Sequence, residues 1–181
     1  MKNMKSQKGY TMVEAISFLG IVAMLAVSVF VLINRMIDRY KISRVGTQIV
    51  ELQKAIDYRF ASAEGFGNLR ATLLIDESIA PSDMVRGANQ LRHTYAGAVT
   101  IRSTMNNFAY AITFEDIPQT PCVELLLQEW ALGHNSHLIS INANGTFFDW
   151  NPNSANRLPI TLNDANELCV DGDNEIIWQF Q

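Results

Sequence analysis

Histidines and a short acidic run are the residues whose types and spacing could hold a metal ion. His134 and His137 form a His-x-x-His pair, and His93 lies far from them in the chain. No cysteine or carboxylate stands nearby to complete a zinc ligand set, so we expect all three histidines in solvated loops. The run DGDNE at residues 171–175 lacks the spacing of a full EF-hand calcium loop. We predict a turn there and no bound metal.

The chain carries no local signature of catalysis. Serine, histidine and aspartate are all present, but neither a nucleophile elbow nor a phosphate-binding loop is found. We therefore predict that the protein is not an enzyme and has no cofactor. Basic residues number 14 against 18 acidic ones, for a formal net charge of −4. This balance does not favour direct binding of nucleic acid.

An uninterrupted apolar run near the N-terminus is the dominant feature of the 181-residue chain. Residues 15–33 contain no charged side chain over 19 positions, and a bilayer core about 30 Å thick needs about 20 apolar residues in a helix. The run is also longer than the apolar part of an ordinary secretory signal. We predict a transmembrane segment here, with a buried core helix as the alternative.

Basic residues flank this run on both sides. Three lysines and no acid precede it in residues 1–9, and four basic residues follow it between positions 35 and 44. The first group favours a cytoplasmic N-terminus, but the second opposes it, so charge alone leaves the orientation open. Glu14 stands at the edge of the run, where a carboxylate is costly if it enters lipid.

Residues 8–14 (KGYTMVE), followed at once by the apolar run, resemble the class III signal of type IV pilins and pseudopilins. The resemblance implies that a prepilin peptidase cuts between Gly9 and Tyr10 on the cytoplasmic face, and that Tyr10 is then N-methylated. The apolar helix would stay on the mature protein, with Glu14 as its fifth residue and as an assembly determinant. Loss of the leader's three lysines would change the net charge from −4 to −7.

An apolar stripe predicts that the helix continues past the membrane. Its members recur every three or four positions: Val45, Ile49, Leu52, Ile56 and Phe60. The polar positions between them, Gln48 included, are expected to fall off the stripe. We predict one helix over residues 10–63, with its transmembrane part at about 15–33. A leader at residues 1–9 precedes this helix, and a globular head at residues 64–181 follows it.

The head sequence alternates between short strand and short helix patterns. Strands are predicted at residues 97–102, 108–114, 137–142, 146–150 and 175–180, and helices at residues 71–80 and 121–132. The Asn144-Gly145 pair predicts a hairpin turn, which explains the local Asn-Gly-Thr sequence better than a glycosylation site does. We predict an α+β fold in which the long helix packs on an antiparallel β-sheet.

The two cysteines, Cys122 and Cys169, are too few for a disulfide-rich miniprotein and too far apart for a zinc knuckle. They are either two buried thiols or one disulfide. A head exported with its anchor would face an oxidising compartment. For that reason we predict a disulfide, which would bound the C-terminal region of the head.

Several stretches of the head resemble the type IVb branch of the pilins, which includes the toxin-coregulated, bundle-forming and conjugative thin-pilus pilins. These stretches are residues 79–85, 95–101, 108–112 and 117–122, together with Cys169 before residues 174–178. The chain departs from that branch in its short leader and in Tyr10.

The resemblance implies a structural subunit that polymerises with itself into an extracellular filament for adhesion, aggregation or conjugative DNA transfer. Its other partners would be the membrane, a prepilin peptidase and methyltransferase, and the inner-membrane assembly machinery. Before assembly the head would lie in the periplasm, and afterwards on the cell surface. The alternatives are a minor pilin, a type II secretion pseudopilin, or an uncleaved single-span periplasmic binding protein.

Overall fold

The computed structural model describes residues 12–128, 130 and 137–181, within two compact units that meet in sequence between Tyr40 and Lys41. Helix α1 (Met12–Phe60) has 49 residues. It ends three residues before the predicted end, and the predicted start at residue 10 lies outside the described residues. Beyond it the chain turns at Gly65, whose φ of +151° favours glycine. A Cβ on Gly65 would lie 2.6 Å from the carbonyl oxygen of Asn107.

The predicted antiparallel sheet is present, and it has seven strands. They are β1 (Val85–Arg86), β2 (Gln90–Arg92), β3 (Ala98–Thr104), β4 (Ala109–Ile117), β5 (Leu138–Ala143), β6 (Thr146–Asp149) and β7 (Asn174–Phe180). Their order in the sheet is β1-β2-β3-β4-β7-β5-β6. The last strand of the chain therefore lies inside the sheet, between β4 and β5, and the head cannot complete its sheet until its C-terminus is in place.

The core of the head lies between the sheet and the part of α1 that begins at Lys41. The predicted apolar stripe of this helix is buried from Val45 to Ile56, and Phe60 at its end is half-buried. The strands contribute large buried side chains to the same cluster, among them Phe114 and Trp178. Gln48 is also buried, with 1% of its surface exposed, so its predicted position off the stripe is wrong.

The hairpin and all five predicted strands are confirmed. Asn144 and Gly145 connect β5 to β6 with φ angles of +48° and +88°, the left-handed conformation that an Asn-Gly turn requires. Strands β3 and β4 extend two and three residues beyond their predicted ends. Residues 171 and 172 form a bend before β7, where the sequence predicts a turn.

The short elements of the head differ most from prediction. Helix α2 (Ala71–Asp76) is shorter than predicted, and helix α3 (Gln119–Leu126) begins and ends earlier. Strands β1 and β2 were not predicted because two and three residues are too few to show alternation. Helix α4 (Leu162–Leu168) was also missed. Its start is specified by a capping box, in which Thr161 and Asp164 bond reciprocally.

Candidate functional site

The first part of α1 presents an unburied apolar surface. From Met12 to Tyr40 every residue is exposed, and the helix is long and apolar enough to cross a membrane. The hydroxyls of Ser17 and Ser28 donate to the carbonyls of Val13 and Met24, four residues earlier, at 2.9 Å in both cases. These two hydroxyls therefore do not need water as a partner, and the surface suits lipid or another apolar helix.

Glu14 lies in the first turn of α1 and is exposed. A carboxylate at this position is favoured by the positive end of the helix dipole. The proposed cleavage site, Gly9 and Tyr10, lies outside the described residues.

A polar cluster around Arg44 joins the C-terminal part of α1 to the segment before β1. The Arg44 guanidinium donates to Asp83 at 2.8 Å and to Glu51 at 3.1 Å. Gln48 Nε2 donates to the same Asp83 carboxylate at 2.8 Å, while Gln48 Oε1 accepts from the backbone and hydroxyl of Thr94. The buried Gln48 amide is thus paired at both ends.

The opposite charges in this cluster shift the pKa values of Arg44 and Asp83. The hydrogen bonds that the Arg44 guanidinium donates to Asp83 and then to Glu51 raise its pKa. The pKa of the Asp83 carboxyl is lowered by its hydrogen bond with Arg44, and burial opposes this with a smaller effect. Both shifts favour the charged pair, which anchors the segment before β1 to the helix.

Two further contacts fasten the C-terminal half of α1. Arg59 pairs with Glu77, its Nη2 donating at 2.9 Å, and this pair joins the end of α1 to the residue after α2. Tyr110 Oη, on β4, donates to Asp57 Oδ1 at 2.7 Å. Burial first, and then the bond to Asp57, raises the pKa of Tyr110 well above its usual range, so the phenol is a permanent donor here.

His93 is buried in the head, with 4% of its surface exposed, and its predicted place in a solvated loop is wrong. Its ring stacks on Phe114 at 5.1 Å between centroids. Nε2 lies 2.6 Å from the carbonyl oxygen of Glu115, and Nδ1 lies 3.2 Å from the backbone nitrogen of Tyr95. A carbonyl can only accept and a backbone N–H can only donate, so the ring is neutral with its proton on Nε2.

The other histidines differ from His93. His137 is exposed, and its Nδ1 lies 4.0 Å from Asp57 Oδ2. His134 lies outside the described residues. Within residues 12–128, 130 and 137–181, no three His, Cys, Asp or Glu side chains converge as metal ligands would.

The disulfide predicted between Cys122 and Cys169 is present and joins α3 to the end of α4. Gln119 Nε2 reinforces this junction by donating to the Cys169 carbonyl at 3.0 Å. The buried Asn174 joins the same region to the sheet. Its amide donates to the Ile117 carbonyl at 2.8 Å, and its side-chain oxygen accepts from the Val170 backbone at 2.8 Å.

Asn174 and Gln48 are structural residues that sequence reasoning missed. Each belongs to a polar type that is usually exposed, and each becomes tolerable in the core only because its partners come from distant segments. The one signal in the sequence was that Asn174 stands between a predicted turn and an apolar strand. That position does not show whether its side chain is buried.

Comparisons with known proteins agree with this architecture. Residues 39–181 match the model of the PilS family, described as PilS N terminal. The type IV b pilin from Salmonella typhi superposes with a TM-score of 0.55 at 17% identity, over 74% of this chain and 95% of that one.

A second solved structure is TcpA, a type IV pilin from Vibrio cholerae El Tor biotype. It superposes with a TM-score of 0.53 at 16% identity, over 78% of this chain and 99% of that one. No curated protein matches the chain in sequence. With its long N-terminal helix, its antiparallel sheet and its disulfide-bounded C-terminal region, the chain belongs to the PilS family of type IV pilins and has the type IVb pilin fold.

Proposed function

We propose that this protein is a structural subunit of a type IV pilus, without catalytic activity or cofactor. The observation that carries the proposal is the apolar part of α1, which is exposed along its whole length. Burial of apolar surface is favoured by about 25 cal/mol per Å², so this segment needs a second environment. A membrane supplies it before assembly, and the helices of neighbouring subunits supply it inside a filament.

The subunit is made as a precursor and processed at the membrane. A prepilin peptidase removes residues 1–9 by cutting between Gly9 and Tyr10, and a methyltransferase modifies the new amino group of Tyr10. The head lies in the periplasm while the helix is in the inner membrane. The Cys122–Cys169 disulfide supports this location, since such bonds persist in oxidising compartments. The assembly machinery then moves the subunit into a filament at the cell surface.

Glu14 sets the position of each subunit in the filament. Inside a core of packed helices an unpaired carboxylate is costly, and the new α-amine of Tyr10 is the nearest cation that processing creates. If Glu14 pairs with the amine of a neighbouring subunit, a misplaced subunit leaves both the carboxylate and the amine without a partner. The filament then serves adhesion, aggregation or conjugative transfer.

The test is to shear surface material from cells that express the protein, image it, and identify its main band by mass spectrometry. We expect filaments whose main band begins at Tyr10. A Gly9→Val precursor should keep its leader and give no filaments. A peptidase that cuts beside a residue without a side chain has no room for a branched one.

Three outcomes would contradict the proposal or restrict it. A mature protein that still begins with residues 1–9 would indicate an uncleaved periplasmic binding protein. A cleaved protein that is scarce in abundant filaments would indicate a minor pilin. A cleaved protein in cells that make no surface filament would indicate a pseudopilin.

A further inference from the structure

Four arginines lie on one face of the sheet, at its β1–β3 end. Val99 and Ile101 point into the core, so the alternate positions on β3, including Arg102, point outward. The strand pairing places Arg92 opposite Ala98 and Arg86 opposite Gln90, on the same outward face. Arg70 lies directly opposite Arg102 in an isolated antiparallel bridge. We call these four exposed residues the arginine face: Arg70, Arg86, Arg92 and Arg102.

The arginine face has no counter-charge within the described head. Like charges directly opposite each other on neighbouring strands are destabilising, and Arg70 and Arg102 are such a pair. Two acids near the face in sequence are used elsewhere, because Asp83 pairs with Arg44 and Glu77 with Arg59. Within residues 12–128, 130 and 137–181, no member of the face has a carboxylate within 4.0 Å.

The opposite charge is concentrated around the disulfide. From Gln119 to the C-terminus the sequence has eight acidic residues and one basic residue, Arg157. The exposed acids here flank the two cysteines and the start of β7, and we call them the acidic region: Glu124, Glu167, Asp171, Asp173 and Glu175. None of them has an ion pair within 4.0 Å in the described part of the chain.

We propose that the arginine face of one subunit binds the acidic region of a neighbouring copy of this chain in the filament. This inference rests on the proposed function. The two surfaces are different, so their contact is heterologous and leaves one unused surface at each end of a pair. A contact of that kind extends into a filament instead of closing into a dimer. It neutralises charge that the isolated subunit leaves unpaired, and it directs the orientation of incoming heads.

Two charge-reversed subunits test this contact. The first carries Arg70→Glu and Arg102→Glu, and the second carries Asp171→Lys and Asp173→Lys. In the described part of the chain, none of these four side chains makes a hydrogen bond or ion pair, so reversing their charges breaks no such contact within the head. Expressed alone, each variant brings like charges together, and filament yield should fall at least about tenfold. Expressed together, the two should assemble as alternating subunits and restore the yield.

The controls separate this contact from misfolding and from the proposed function. An Arg157→Glu subunit removes an exposed arginine outside the face and should assemble like the wild type. Each reversed subunit should still form its disulfide and a protease-resistant head.

The inference is overturned if either reversed variant alone gives wild-type yield, because the charges then face no other subunit. That result would instead leave the face free for an external polyanion. It is also overturned if folded reversed subunits fail to assemble together. Absence of filaments from the wild type would reject the proposed function itself.

Discussion

Tyr110 Oη donates a hydrogen bond to Asp57 Oδ1 across 2.7 Å, and this contact joins the central strand β4 to helix α1. Tyr110 is fully buried and packs against Phe66 and Phe180. Tyr110 and Asp57 are 53 positions apart in the chain, so their hydrogen bond forms only when helix and sheet are both in place. It therefore reports whether the head is correctly docked on its helix.

Tyr110→Phe should destabilise the head while keeping its packing. The substitution removes one hydrogen bond to a charged group, which is worth about 1.5–3 kcal/mol in folded proteins. The measurement is urea unfolding of the detergent-solubilised chain, followed by tryptophan fluorescence. Tyr58 is 86% exposed, so the matched Tyr58→Phe should change the stability by less than about 0.5 kcal/mol. Equal effects from both substitutions would contradict this role for Tyr110.

His93 should make the head sensitive to mild acid. Burial lowers the pKa of its imidazole, against weaker opposing effects of the Glu115 carbonyl and the Asp116 charge. A depressed pKa means that the stability is present above the unfolded pKa of about 6.5 and is lost as the pH falls through the folded pKa. Protonation would also turn Nδ1 into a donor facing the Tyr95 N–H.

The measurement for His93 is the unfolding free energy between pH 7.5 and pH 5. His93→Gln should lower stability at pH 7.5 but flatten the loss on acidification. His137→Gln serves as the control, since it removes an exposed histidine and leaves the buried ring intact. A wild-type slope in the His93 variant would show that another group titrates.

Removal of the disulfide should loosen the acidic C-terminal region. On the chain-entropy model a loop of this length contributes about 4 kcal/mol. Cys122→Ser, Cys169→Ser and the double variant should therefore be equally protease-sensitive while still inserting in the membrane, since each loses the same cross-link. Limited proteolysis of membrane fractions checks this. Alkylation of both thiols in the wild type without reductant would show that the bond is absent in cells.

Glu14→Val should be inserted and cleaved but assemble poorly. The change lengthens the apolar run, so insertion should not be impaired, whereas the amine of the neighbouring Tyr10 would lose the partner proposed for it. Leader removal is measured by mass spectrometry and filament yield by shearing, in the same cells. Wild-type yield would refute the pairing, and failed cleavage would mean that Glu14 serves the peptidase instead.

Local patterns in the sequence determined the features that depend on neighbouring residues. The run at residues 15–33 predicts an apolar helix by composition, and Val45 to Ile56 predict its buried side by spacing. Asn144-Gly145 predicts a turn because few other pairs adopt its backbone angles. These features need no partner from elsewhere in the chain, so they could be recognised before the fold was known.

The tertiary structure alone decided which polar side chains are buried and which charges stay unpaired. His93, Gln48 and Asn174 read as surface residues, yet each is held in the core by partners that the fold brings from other segments. Arg70 and Arg102 are far apart in sequence but directly opposite each other across a bridge. Burial and charge pairing depend on distances between remote segments, and those distances exist only after the helix has packed on the completed sheet.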